Sequence, residues 1–246
     1  MNQPMVKMMI LAPRRETMTH AQFRDYVTNT HGPLVKSIPE VAAGIRRYHY
    51  NFPIPGATDV LFGHPLASDD YDIVTQAWFD SLAAHRANQS HARYWSVIRP
   101  DEEVMADNAR ACFHFTHERE IIPGEVGDRK LFVMRARRAG LSRDEFQQAW
   151  LSRVSEAVAL SPIARAAFAR YVQNHALSAQ EYPEGDNPGY FDVIDEFVPT
   201  VDAAALLDQD PSFRERLARI EADLTDPSRT RSFVAETVRN IDGPVR

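Results

Sequence analysis

Histidine and tyrosine are the residues in this chain whose spacing points most directly to chemistry. His31 lies eight residues after Phe23 and four after Val27, so the three fall near one stripe of a helix. Gly32-Pro33 follows at once. Proline has no N–H and restricts the residue before it, so the helix is expected to end or kink just past His31. An imidazole held there can reach a cavity mouth and transfer protons near neutral pH. The plainer role, a histidine tying the helix end to a backbone carbonyl, stands beside it.

His49 lies in a run that reads as a strand. Alternation puts Arg47, His49 and Asn51 on one face and Tyr48 and Tyr50 on the other. If the first face lines a cavity, His49 can pair with His31 as acid and base. If the second does, Tyr48 or Tyr50 can hydrogen-bond a phenolic or carbonyl oxygen. Parity alone leaves both open. On a further strand Asp72, Val74, Gln76 and Trp78 share a face, opposite Ile73, Thr75, Ala77 and Phe79. The second set suits packing under helices. Gln76 and Trp78 offer an amide and an indole that could orient a flat ligand.

Metal and nucleotide chemistry find little support. His114 and His117 are three apart on a strand and so face opposite ways, and His85 and His91 are six apart on a helix. No metal site is expected. The single Cys112 is flanked by aromatic residues and reads as a small buried hydrophobe. Ten glycines include no Gly-x-Gly-x-x-Gly and no phosphate-binding loop, so no cofactor is expected. Lys plus Arg total 28 against 34 Asp plus Glu, for a net charge of -6, and no basic stripe interrupts this balance. Nucleic acid is therefore not an expected partner. The apolar run Met5–Leu11 is too short to span a bilayer and precedes Pro13-Arg14-Arg15-Glu16 where a signal peptide would carry small residues. A cytoplasmic protein without membrane attachment is expected.

The elements that must position these residues repeat along the chain. At a shift of 123, Lys7 meets Lys130, Arg14-Arg15 meets Arg137-Arg138, and Phe23, Val35, Pro39 and Ala43 meet their own kind. Arg47-Tyr48 and Asn51 complete 10 identities over residues 7–51 without a gap, against about 3 expected from ordinary residue usage. Past residue 51 the shift becomes 120. Each half reads as strand, helix, strand, strand, helix, strand: Val6–Ala12, Ile45–Asn51, Tyr71–Phe79 and Ala111–Glu118 are the strands of the first. Ser142 and Glu145 form a capping box before the matching helix of the second. The expected fold class is α+β: two tandem ferredoxin-like (split βαβ) repeats, residues 1–123 and 124–246, with antiparallel sheets packed as a pseudo-dimer.

Thr19–Pro39, with its Phe-x-x-Tyr helix running into His-Gly-Pro-Leu-Val, resembles the EthD family. Arg47-Tyr48, Tyr71-Asp72 and Trp78-Phe79-Asp80-Ser81 stand where that family carries them, and Arg170–His175 and Trp150 extend the likeness into the second half. The resemblance implies a dimeric α+β barrel with a small, mostly organic ligand between the sheets. The position matching His31 is Val154, and Gly32-Pro33 becomes Ser155-Glu156, so any chemistry is expected in the first copy. The resemblance does not fix a reaction; the leading expectation is a cofactor-independent lyase, isomerase or dehydratase acting on a small hydrophobic, aromatic, lactone or polyketide-like substrate. His31 and His49 would then be catalytic, and Tyr48, Tyr50, Gln76 and Trp78 substrate-binding. A cofactor-free monooxygenase on the same fold and a non-catalytic metabolite-binding or dimerisation module are the alternatives. A further homodimer is compatible but not required.

Overall fold

A computed structural model describes residues 5–178, 180–182 and 190–243. The chain divides into two compact units. The first comprises residues 5–53, 68–117 and 237–243; the second comprises 54–67 and, among the described residues, 118–236.

In the first unit, β1 (Val6–Ala12) leads into α1 (His20–Tyr26), a π turn (Val27–His31), α2 (Gly32–Lys36) and the short α3 (Pro39–Ala42). β2 (Arg47–Pro53) and β3 (Ile73–Phe79) follow. Then come α4 (Leu82–Gln89), a second π turn (Tyr94–Ile98), α5 (Arg99–Met105) and β4 (Cys112–Ile122), of which residues 112–117 belong to this unit. The sheet order is β4-β1-β3-β2, the split βαβ arrangement. Thr19 caps α1 through a capping box with Gln22, which satisfies two N–H groups that helix geometry leaves free.

Both π turns close one residue before a proline. The Gly32 N–H reaches Val27 O and the Arg99 N–H reaches Tyr94 O, with Pro33 and Pro100 next. A proline ring inside a helix crowds the carbonyl four residues back and offers it no donor. Widening the turn relieves the clash without breaking the helix. The helix expected to end or kink at Gly32-Pro33 therefore continues to Lys36, and the second helical stretch continues past Tyr94–Ile98 as α5.

Strand registers fix which side chains share a face. Tyr50, Thr75, Ile10 and Phe113 form one cross-strand row, and Tyr48, Ala77, Met8 and Phe115 the next. These rows look toward the helices. His49, Gln76, Met9 and His114 form a row on the opposite face, beside Arg47, Trp78, Lys7 and Thr116.

The second unit repeats the order of elements. β5 (Arg129–Arg135), α6 (Arg143–Ala159), α7 (Pro162–Ala167), β6 (Phe168–Ala176), β7 (Val193–Pro199), α8 (Ala203–Asp208), α9 (Pro211–Leu224) and β8 (Arg231–Asp242) succeed one another. The sheet runs β8-β5-β7-β6, and residues 237–242 of β8 lie beside β2 in the first unit's sheet. Here α6 is an unbroken helix of 17 residues, with neither proline nor π turn. Its buried face, Phe146, Trp150, Val154 and Val158, packs with Tyr171, Phe197, Phe213 and Leu217 into a filled core. α8 and α9 are parted at Asp210, whose side chain accepts from the Phe213 N–H and caps α9. Among the described residues no helix is long and apolar enough to cross a membrane.

Candidate active site

The space between the helices and the sheet of the first unit is not filled. An apolar cavity of about 840 Å³, counted out to its open mouth, lies between the Tyr48–Tyr50 face and the helical stretches that carry the π turns. Met8, Thr75 and Ala77 form its floor, and Phe23, Val27 and His31 line one wall. The hollow has a local cause. Thr75 and Ala77 on the floor and Val27 on the wall are small side chains that leave it open.

His31 is 1% exposed and turns into this cavity. Its Nδ1 is 2.7 Å from Asp101 Oδ2, and its Nε2 is 3.4 Å from the Tyr48 hydroxyl. Asp101 stands in the first turn of α5 and also accepts a 2.6 Å hydrogen bond from the Tyr26 hydroxyl. Burial pushes the Asp101 carboxyl up, but the His31 and Tyr26 donors outweigh it and hold the group below its ordinary value. An ionised carboxylate on Nδ1 assigns the proton to that nitrogen and leaves the Nε2 lone pair facing the cavity.

Tyr48 and Tyr50 lie side by side with ring centroids 4.9 Å apart. Burial, followed by the nearby Glu102 carboxylate, pushes the Tyr48 hydroxyl above its usual range; burial does the same to Tyr50. Both remain neutral donors at physiological pH. Asn240 of β8 donates to Gly32 O at 3.2 Å and approaches the Tyr50 hydroxyl at 3.4 Å. A Cβ at Gly32 would come within 2.9 Å of the Asn240 amide oxygen, so this position is small because the asparagine occupies the space.

Glu102 also lines the cavity. Its carboxylate oxygens are each 3.3 Å from the Tyr94 hydroxyl, and Oε2 is 3.2 Å from Arg99 Nη1. Burial raises the Glu102 carboxyl above its ordinary value in spite of His31, Arg99 and Tyr94. Adjacent carboxyls thus diverge: Asp101 is held down and Glu102 is held up.

The structure brings His31, Tyr48 and Tyr50 together and sets the other three sequence candidates apart. His49, Gln76 and Trp78 are buried on the sheet face turned away from the helices. There Gln76 Oε1 accepts from Asn51 at 3.2 Å, and Trp78 packs against His49 with centroids 5.0 Å apart and under the Lys7 ammonium at 4.6 Å. An acid–base pair of His31 and His49 does not form, because the sheet separates them. The strand face expected to pack under helices, Ile73, Thr75, Ala77 and Phe79, does so and also forms the cavity floor. Sequence reading passed over Asp101, Glu102, Tyr26 and Tyr94. Asp101 is 70 residues from His31, and no local spacing joins them. Among the described residues, no three His, Cys, Asp or Glu side chains converge as metal ligands would.

The matching space in the second unit is smaller. At the shift of 123, Ala12 corresponds to Arg135 and Val27 to Trp150; at 120, Thr75 corresponds to Asp195. Arg135 stacks over the Trp150 ring at 4.5 Å and ion-pairs with Asp195 and with Glu221, the latter at 2.7 Å. Tyr171, matching Tyr48, donates to Asp195 at 2.9 Å. Larger and charged side chains occupy what small ones leave open in the first unit.

Residues 15–109 match the EthD domain. A conidial pigment biosynthesis dehydratase EthD from Metarhizium robertsii is 29% identical over 124 residues, covering 49% of this chain and 87% of the relative. Among solved structures, an anthrone oxidase-like protein superposes with a TM-score of 0.58 at 12% identity, covering 97% of this chain and 94% of the other. A candidate monooxygenase from Lactobacillus acidophilus NCFM gives 0.53 at 11% identity, covering 97% and 95%. At these identities the structural likeness establishes the fold. The stretch that matches the EthD domain carries His31, Tyr48, Tyr50, Asp101 and Glu102.

Proposed function

We propose that the chain is a cofactor-independent lyase that removes water from an aromatic β-hydroxy ketone or a similar polyketide-like ring. The reaction takes place in the cavity of the first unit. The observation that carries this reading is the Asp101–His31 pair, whose Nε2 faces an apolar cavity beside the Tyr48 hydroxyl. The substrate ring lies between the helices and the sheet, and its carbonyl accepts from Tyr48. His31 Nε2 removes the proton on the carbon next to that carbonyl. The electron pair moves into a new C=C bond, and the hydroxyl on the neighbouring carbon leaves as water. Asp101 stabilises the imidazolium that forms. The Tyr48 donor stabilises the enolate oxygen, more strongly in an apolar cavity than in water.

The dehydratase from M. robertsii supports water loss over isomerisation by the same proton transfer. On this reading the second unit is a duplicated copy that kept the fold and filled the site. The test is a panel of aromatic β-hydroxy ketones, with loss of water followed by the absorbance of the conjugated product. Turnover is expected, with a loss of about 10²- to 10⁴-fold in His31→Gln. Equal turnover by His31→Gln, or binding without water loss across the panel, overturns the reading.

A further inference from the structure

We infer that Glu102 is the general acid that delivers the proton to the departing hydroxyl, a role that rests on the lyase reading of this cavity. Hydroxide is a poor leaving group, so elimination of water from a β-hydroxy ketone needs a proton donor opposite the base. His31 cannot supply it in the same step, because Nε2 is then taking a proton and Nδ1 is held by Asp101. Tyr48 is engaged with the carbonyl.

Glu102 is the carboxyl that meets the requirement. It lines the same cavity as His31 and comes from the helical stretch on the other side of the Asp101 contact. Charged and titratable groups face it from every packed element: Arg99 and Tyr94 on its own stretch, His31 on the first helix, and Tyr48 and Tyr50 on β2. Arg99 approaches Oε2 at 3.2 Å from a partly exposed position. Burial raises the Glu102 carboxyl above its ordinary value in spite of these partners, whereas the His31 and Tyr26 donors hold its neighbour Asp101 below its own. Two carboxyls driven apart in this way divide acid and base duties. The step balances. The C–H proton passes to His31, its electron pair forms the C=C bond, the C–O pair stays on oxygen, and the Glu102 proton converts that oxygen to water. Solvent then returns the proton from His31 to Glu102.

The experiment compares two substrates that share one ring and differ in the leaving group, hydroxyl or acetate, with the wild type, Glu102→Gln and His31→Gln. Acetate departs as a stable anion and needs no proton. Glu102→Gln is expected to lose about 10²-fold or more on the hydroxyl substrate and less than about threefold on the acetoxy one. The retained acetoxy activity shows that the variant is folded. His31→Gln is expected to lose activity on both. Equal losses of Glu102→Gln on the two substrates, or none on either, overturn the role of Glu102 and leave His31 as the base. Unchanged activity of His31→Gln on both overturns the base assignment itself, and with it the acid.

Discussion

His31 Nδ1 lies 2.7 Å from Asp101 Oδ2, across two helical stretches that each bend around a proline. The pair depends on that shared irregularity. Pro33 follows the turn that ends at His31, and Pro100 precedes Asp101 directly. Neither helix is broken. Each is widened by one π turn next to the residue that does the work, as π turns at functional sites commonly are.

Asp101 sets the tautomer of His31, and its removal is expected to cost most of the activity. Asp101→Asn keeps the shape but can present its amide N–H to Nδ1, which moves the imidazole proton to Nε2. A fall of about 10²- to 10⁴-fold in kcat is expected, with KM little changed. Tyr26→Phe removes one of the two donors to Asp101 and is expected to cost about 3- to 10-fold, the value of one hydrogen bond near 1 kcal/mol. Steady-state kinetics on the β-hydroxy ketone substrate checks both.

The cavity exists because Val27 stands where the second unit carries Trp150. Val27→Trp is expected to fill it and abolish binding of a fused-ring aryl ketone such as 1-tetralone, while the protein stays folded. Titration of the ketone by calorimetry, with a thermal melt beside it, gives the answer. Undiminished binding would show that the ligand sits elsewhere.

His85 and His175 make stability depend on pH. His85 is buried edge-on between Phe79 and Phe115, and burial, followed by the Arg86 charge, lowers it from 6.5 to about 4. His175 is likewise lowered to about 4, mainly by burial. Between these values the unfolded histidine binds a proton that the folded one refuses. Stability is unaffected above pH 6.5 and falls as pH drops toward 4, by about 3 kcal/mol for each group. Urea titrations from pH 7.5 to 4 are expected to show His85→Phe losing about 3 kcal/mol less stability than the wild type over this range.

Much of this was legible in the sequence, down to particular residues. The spacing of Phe23, Val27 and His31 places the imidazole on the buried stripe, and period-two alternation sorts Tyr48 and Tyr50 from His49 correctly. What alternation does not carry is which face has room. Both faces bear buried polar atoms, and the difference lies in side-chain volume at Ala12, Val27, Thr75 and Ala77, visible only once the strands are in register. Asp101 was hidden for another reason. Its contact with His31 spans 70 residues, and the Pro100 beside it reads locally as a helix boundary when it is a widened turn. The expectation of a ligand on the sheet face away from the helices met a cavity on the other face.

That choice of face is the central claim, and a crystal structure with bound 1-tetralone tests it most directly. The account places the ring between the helices and β2–β3, with the ketone oxygen within hydrogen-bond reach of the Tyr48 hydroxyl and the adjacent CH₂ beside His31 Nε2. A ligand against His49, Gln76 and Trp78, with the helix-side cavity empty, would contradict it.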